Sequence, residues 1–397
     1  MLRRCFLRSL AAAPAAGFVP VPLLGQQRGG MAPAEPFKPG EGPNNPVGAG
    51  KGIYPGRVVW ARDANATTWD GATGHWWDDD CTNQKLVHEM TARLLQNLTG
   101  RKNEKQAWDA LFRSFNEGRK LGNSGYRPGE RIAIKVNCNQ DRSPEWGAAG
   151  PGPGGAARGG PSRRALNGLP SPHAVLALVT QLIEMAGVRG EDIMVYDVTG
   201  MRNVGQPISA KIRANSNPQF QAVKFLVGAD YSLGGRLPPT PDTANPIRFA
   251  NTELPAGYLP RQVTEARYMI NMALLRPHGM AGVTLIGKNH FGSVHFPNDG
   301  GWSPRVLHGS VMRNQAMGSY NALVDLMGHR RLGGNTMLYL LDGLYTAEHN
   351  EGNVFKWASF GDHWASSLFL SQDPVAIDSV GLGCWGKPVR AAGVSCS

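Results

Sequence analysis

Residues 131–139 read RIAIKVNCN, residues 171–186 read SPHAVLALVTQLIEMA, and residues 192–198 read DIMVYDV. The first and third are short apolar runs of strand length, rich in β-branched side chains. The second carries Val175, Leu178, Val179, Leu182, Ile183 and Met185 at helical spacing, with Ser171 placed as N-cap and Pro172 at the first helical position. Strand, helix, strand over about 65 residues is a βαβ unit, and such a crossover joins two parallel strands. The expected fold is therefore α/β: a mostly parallel, mixed central sheet flanked by helices in a single large domain.

The same signals recur on either side of this unit. Residues 56–63 (GRVVWARD) predict a first strand. Two helices follow over 82–98 (Leu86, Met90, Leu94, Leu95) and 104–121 (Trp108, Leu111, Phe112, Phe115), with Thr82 and Asn103 as candidate caps. Downstream, strands are expected over 220–227, 268–275, 336–341 and 367–370. A helix or turn is expected to open over 282–287 and to carry Lys288, Asn289 and His290, and a final helix over 374–382. Residues 147–166 are of low complexity and read as an exposed loop insertion within a domain spanning 57–381, and residues 228–258 read as Pro-rich loop. The tail at 382–397 has Gly, Pro and no helical period, where an amphipathic continuation of the last helix is expected, which suggests a truncated C-terminus.

With 397 residues and 41% hydrophobic content the chain can bury a sizeable core. Residues 1–25 (MLRRCFLRSLAAAPAAGFVPVPLLG) hold Arg3 and Arg4 ahead of Phe6, Leu7 and Arg8, then an Ala-rich stretch broken by Pro14, Pro20 and Pro22. This matches a twin-arginine export signal and is too short and interrupted to span a bilayer. Residues 26–56 are a Gly/Pro-rich linker or arm. The expectation is an exported bacterial protein, periplasmic or secreted, engaged by the twin-arginine translocase during export and without a stable transmembrane anchor. The net charge of +11 falls to about +8 without the signal arginines, and the remaining basic residues are scattered apart from Arg158, Arg163 and Arg164. No nucleic-acid partner is expected. Of the five cysteines, none forms a C-x-x-C pair, so no cysteine motif for an iron–sulfur cluster is present.

Several apolar strands end in polar side chains: 132–136 encloses Lys135 and runs into Asn137 and Asn139, 194–196 ends at Asp197, 338–341 at Asp342, and 369–370 at Ser371 and Asp373. In open parallel sheets ligands sit beyond the carboxyl ends of the strands, so these groups are candidates for one site. Lys135, inside an apolar strand, needs a partner or a function. Lys288 lies in the neutral stretch GKNHFG. Two lysines on one pocket suit a small anionic ligand, a carboxylate or phosphate, and either can serve as base or nucleophile, with Asp197 beside them. Asn137, Asn289, Ser171 and His173 are candidate substrate-binding groups. His290, Asp342, Asp373 and Asp378 are candidate ligands for a divalent metal, and His278, His295 and His308 add further imidazoles, though the spacing matches no established metal motif. No P-loop and no Gly-x-Ser-x-Gly elbow occurs.

The stretches IAIKVNCN (132–139), NGLPSPHAV (167–175), VYDVTG (195–200), VTEARYMINMALLRPHGMAGVTLIGKNHFGS (263–293), LLDGLY (340–345) and LSQDPVAIDSVG (370–381) together resemble the domain-of-unknown-function 362 family over roughly residues 56–381. The resemblance implies no established activity. Some members carry ferredoxin-type cysteine motifs and are associated with iron–sulfur proteins, and this chain lacks those cysteines. Two functions follow as expectations. One is a cofactor- or metal-dependent enzyme, or redox-associated protein, acting on a small anionic substrate. The other is a non-catalytic envelope protein binding a ligand or glycan, with the Trp-rich segment 69–77 exposed to stack on sugars.

Overall fold

The structure is a computed structural model that describes residues 48–138, 169–199, 206–228, 236–316, 318–347, 354–361 and 363–384. In chain order the elements are β1 (Val58–Arg62), α1 (Gln84–Thr99), α2 (Glu104–Gly118), β2 (Ile132–Lys135), α3 (Pro172–Thr180), β3 (Ile193–Asp197), α4 (Gln206–Arg213), α5 (Pro218–Gln221), β4 (Lys224–Val227) and β5 (Arg236–Leu237). They continue with α6 (Arg261–Thr264), β6 (Tyr268–Leu274), β7 (Arg276–His278), β8 (Gly282–Thr284), α7 (Ile286–Asn289), α8 (Ala322–Gly328), β9 (Thr336–Gly343), β10 (Ser367–Ser371) and α9 (Pro374–Gly383). All lie in one compact unit, Ala49–Val389.

Eight strands form one sheet in the order β1-β10-β9-β6-β2-β3-β4-β5. The pairs from β9 across to β5 are parallel, whereas β10 runs antiparallel to both β9 and β1. The sheet is thus mixed and mostly parallel, and the β2–α3–β3 unit joins parallel neighbours, with Ile132 opposite Ile193 and Lys135 opposite Tyr196. Alternation sorts the side chains. Ile132, Ile134, Ile193 and Val195 face the layer built by α1, α2 and α3, where Trp108, Leu111, Val175 and Leu178 are buried. Ala133, Met194, Tyr196 and Met269 face the opposite layer with Phe291, Val294 and Leu326. Buried on both faces, the central strands read as continuous apolar runs.

Several local details differ from the expected ones. Asn83, not Thr82, caps α1, its side chain accepting from the Leu86 amide, while Asn103 caps α2 as expected. Helix α3 gives way to a π turn over Gln181–Met185, closed by the Ala186 amide reaching back to the Gln181 carbonyl. The expected strand over 220–227 begins only at Lys224, because Asn217 and Pro218 open the short helix α5 and draw Phe220 into it. Residues 282–284 are strand β8 rather than a helix start, and the helix that carries Lys288 begins at Ile286. Residues 147–166, read above as an insertion, residues 1–25, read as an export signal, and residues 385–397 lie outside the described residues. Among the described residues, no helix is long and apolar enough to cross a membrane.

Candidate functional site

The strand order fixes where a ligand can sit. From β2 the chain proceeds to β3 on one side, and from β6 it proceeds to β9 on the other, although β2 and β6 are parallel neighbours. Their carboxyl ends therefore diverge and leave a crevice, the place where open α/β sheets bind ligands. A cleft of about 890 Å³ lies there, lined by Asn137 and Cys138 after β2, Asp197 and Thr199 at the end of β3, and Arg276 after β6. That volume suits a small organic molecule rather than a bare ion. Lys288 on α7, His278 on β7, and Trp302 and His308 from the segment before α8 complete the wall. A hollow of similar size beside α2 is lined by exposed side chains such as Arg113 and Asp109, which pair with each other at 2.7 Å.

Lys135 and Asp197 form the floor. The Lys135 ammonium is fully buried and donates to Asp197 Oδ2 at 3.2 Å, to Asn289 Oδ1 at 3.1 Å and to the Val136 carbonyl. Burial pulls its pKa below the ordinary lysine value, and Asp197 opposes that shift. Asp197 also accepts from the Cys138 amide at 3.0 Å, the Thr199 amide at 3.0 Å and the Thr199 hydroxyl at 2.6 Å. Its charge is thus satisfied before any ligand arrives. Gly292 passes so close that a Cβ there would stand 2.7 Å from Asp197 Oδ1 and 2.8 Å from Lys135 Nζ. Only glycine lets this backbone cover the pair.

Asn289 ties the floor to the neighbouring strand, donating to Asn271 Oδ1 at 2.7 Å, to the Met272 carbonyl at 3.1 Å and to the Lys135 carbonyl at 3.2 Å. His290 is wholly buried, with Nε2 3.2 Å from Asn271 Nδ2. Burial, with Lys135 adding to it, lowers its pKa to about 3, so it is a neutral imidazole. Because the Asn271 amide donates, Nε2 accepts and the proton sits on Nδ1.

The cationic wall is separate from this floor. The Arg276 guanidinium, 1% exposed, donates to Asn137 Oδ1 at 2.5 Å and so bridges the diverging ends of β2 and β6. Lys288 Nζ lies 4.4 Å from the centre of the Phe291 ring and 3.4 Å from His308 Nε2. His308 Nδ1 is 3.0 Å from the Pro304 carbonyl, which can only accept, so Nδ1 carries the proton and Nε2 presents a lone pair. His278 is the reverse: its Nδ1 accepts from the Met280 and Ala281 amides at 3.2 Å each, so Nε2 carries the proton. The two rings stack at 5.9 Å, 25° apart.

Of the residues expected from the sequence, Lys135, Asn137, Asp197, Lys288 and Asn289 come together here. The others are drawn elsewhere. Ser171 and Asp342 meet at the start of α3, where Asp342 accepts the Ser171 amide at 2.6 Å and the Leu344 amide at 3.1 Å. Burial raises the Asp342 pKa to about 6. Asp373 caps α9 through the Val375 and Ala376 amides and accepts the Lys51 amide at 2.9 Å. Asp378 accepts the Ile286 and Gly287 amides, holding the first turn of α7 in place. His173 is buried in α3 with Nε2 3.8 Å from Asp79, and its pKa falls to about 3, chiefly through burial. The four residues read as metal ligands, His290, Asp342, Asp373 and Asp378, are therefore occupied by backbone and amide partners in different places. Among the described residues no three His, Cys, Asp or Glu side chains gather as a metal ion would require. Cys81, Cys138 and Cys384 are buried and unbridged, and none belongs to such a group, so the described cysteines do not fit an iron–sulfur cluster.

The tryptophan segment also differs from its expected role. Trp69, Trp76 and Trp77 are buried, and they pack with Trp364 and Tyr345 rather than facing a sugar. Arg276 is the chief residue that reading by strand ends overlooks. It follows the apolar run 268–275 just as Asn137 follows 132–136, so the same rule points to it.

A family profile described as "Domain of unknown function (DUF362)" matches residues 170–383. The chain belongs to the DUF362 family. No curated protein matches it. The DUF362 match runs from the start of α3 through α9 and takes in Asp197, Arg276, His278, Lys288 and His308. Lys135 and Asn137 precede it, so the cleft joins the matched region to β2.

Proposed function

We propose that this DUF362 protein takes a small organic anion, a carboxylate or a phosphate monoester, in the cleft over the ends of β2 and β6. The observation that carries this reading is that two nearly buried cationic side chains, Arg276 and Lys288, both line the cleft, while the carboxylate of Asp197 is already neutralised by Lys135 and three further donors. A guanidinium such as that of Arg276 suits oxyanions geometrically, and Lys288 adds a point charge to the same cleft. Lys135 is a positioning residue: it holds Asp197 and Asn289 and does not reach the ligand. His308 and His278 supply the proton-accepting and proton-donating atoms for acid–base chemistry on the bound anion. The packing of the tryptophans supports this reading, an enzyme acting on a small anion, over a glycan binder.

The test is calorimetric titration of the full chain at low salt with inorganic phosphate, citrate and malonate. Arg276→Gln and Lys288→Gln are each expected to weaken binding by about tenfold to a hundredfold, as loss of a charge-assisted contact does. Unchanged binding in both variants would place the anion elsewhere. We also propose that residues 1–25 direct export through the twin-arginine translocase, so that the anion is met in the periplasm or outside the cell. The adjacent Arg3 and Arg4 ahead of Phe6 and Leu7 support this.

A further inference from the structure

The cationic and imidazole groups of the cleft already hold partners within the protein, so they bear on the charge of a ligand and little else. The rest of the lining bears on its body. At about 890 Å³ the cleft lies near the upper end of the range of small-molecule pockets, about 300–1,000 Å³, and a lone carboxylate or phosphate group would leave most of it to water. Met280, Phe291, Trp302 and Pro304 line it beside the polar groups. Two of these side chains are held at the cleft by a pinned backbone. The Met280 amide donates to His278 Nδ1 at 3.2 Å and its carbonyl accepts the Arg313 amide at 2.7 Å, yet Met280 is 41% exposed. Trp302 follows a turn closed by two backbone bonds between Phe296 and Gly301, at 2.8 and 3.0 Å, in which Gly300 and Gly301 take φ of 83° and 69°. The His295 ring packs against the indole at 4.8 Å, and Trp302 stays half-buried. Large apolar side chains kept at a concave surface, rather than drawn into the core, mark a ligand face.

This lining is aromatic as well as apolar. The His278 and His308 rings stack at 5.9 Å, Phe291 meets His308 edge-on at 5.3 Å, and Trp302 stands in the same wall. Lys288 Nζ lies 4.4 Å from the centre of the Phe291 ring, so positive charge and ring surface adjoin. We propose that the ligand class is an aryl anion: a carboxylate or phosphate monoester whose aromatic ring lies within one or two bonds of the charged group and packs against Met280, Phe291 and Trp302. This deepens the anion-binding reading above and rests on it for the charged group alone. The Lys288–Phe291 contact sets the short spacing between head and ring. Aromatic rings attract one another in offset or edge-to-face geometry beyond the area they bury, which an alkyl chain does not, and the Met280 thioether adds a polarizable contact.

Phosphate, butyl phosphate and phenyl phosphate share a head group and differ in body, and malonate, butylmalonate and phenylmalonate repeat the series on a carboxylate head. Calorimetric titration of the full chain with both series is expected to show the phenyl compound bound at least about tenfold more tightly than the bare anion, on whichever head binds better. It is also expected to exceed the butyl compound by about threefold or more, the part that belongs to ring against ring. Trp302→Ala is expected to bring the phenyl-to-butyl ratio to within about twofold, and Trp302→Phe, which keeps a ring, to retain most of it. Equal affinities for the phenyl and butyl compounds in the unaltered protein would overturn the aromatic class. Equal affinities for the phenyl compound and the bare anion would overturn any packing of the ligand body on this wall. Either result leaves the anion site standing, whereas binding of no member of either series overturns that reading as well. A ratio unchanged in Trp302→Ala would overturn the placement of the ring against Trp302. Because the two decisive ratios are measured on the unaltered protein, a variant that fails to fold does not rescue the proposal.

Discussion

Lys135 has no exposed surface, so its ammonium must be matched entirely by protein atoms. Asp197, Asn289 and the Val136 carbonyl do this, with Gly292 closing over them. Removing one member of a buried pair strands the other, which costs about 3–5 kcal/mol. Lys135→Met is therefore expected to lower unfolding stability by at least about 3 kcal/mol, with Asp197→Asn also destabilising. The double variant should recover part of the loss, giving a coupling of about 2 kcal/mol in urea denaturation. Strictly additive single effects would mean that the two side chains do not depend on each other. The need for a partner at position 135 is readable from an isolated lysine in an apolar strand. Which partner it takes is not, because Asp197 lies 62 residues away and only the strand pairing brings it close. Arg276 is obscured for a related reason: an arginine after a strand looks like any exposed basic residue until the sheet order places Asn137 against it.

Short elements here are held by carboxylates from distant segments, which explains why reading each strand-end Asp as a ligand overstates the site. Asp342 receives the start of α3 and Asp378 the start of α7, both through backbone amides that face outward at helix N-termini. A single sequence does not distinguish an Asp that caps a remote helix, as Asp342 does from the end of β9 and Asp378 from within α9, from one that binds a ligand. The distinction appears in pH dependence. The folded-state pKa of Asp342 is raised to about 6 from the ordinary carboxyl value of 3.8. Its contribution to stability is therefore fully present below about 4 and is lost as pH rises through about 6. Asp342→Asn is expected to remove that dependence. The stability difference between variant and parent, followed by urea unfolding from pH 4 to 7, should change by up to about 1.4 kcal/mol per pH unit inside the window and stay flat above it. A difference constant across the whole range would show that Asp342 is ionised throughout. Element types are otherwise well marked, because buried parallel strands read as continuous apolar runs; boundaries move where Asn83 and Asn217 set the caps.

The order of the whole sheet is not legible in the sequence, because most of its pairings join distant segments. Val58 pairs with Ser371 and Arg62 with Ser367, so the first strand finds its neighbour among the described strands more than 300 residues later. Strand β10 also reverses direction between two strands of the opposite sense, which no local pattern announces. This arrangement bears on export. Until residues 367–371 have been made, β1 lacks the strand it pairs with, and non-local pairing of this kind is slow to form. A sheet whose first strand waits for residues 367–371 suits a route that carries folded proteins. The proposed reading of Arg3 and Arg4 as a twin-arginine signal would supply such a route. Arg3→Lys together with Arg4→Lys preserves charge but removes the arginine pair, and is expected to leave the protein folded in the cytoplasm of a bacterial host. Cell fractionation with protease protection checks the location, and anion titration of the retained protein checks that it is folded. Continued export of the doubly substituted chain, or of the unaltered chain in a host without the twin-arginine translocase, would show that residues 1–25 are read by a different route and that the sheet closes only after transport.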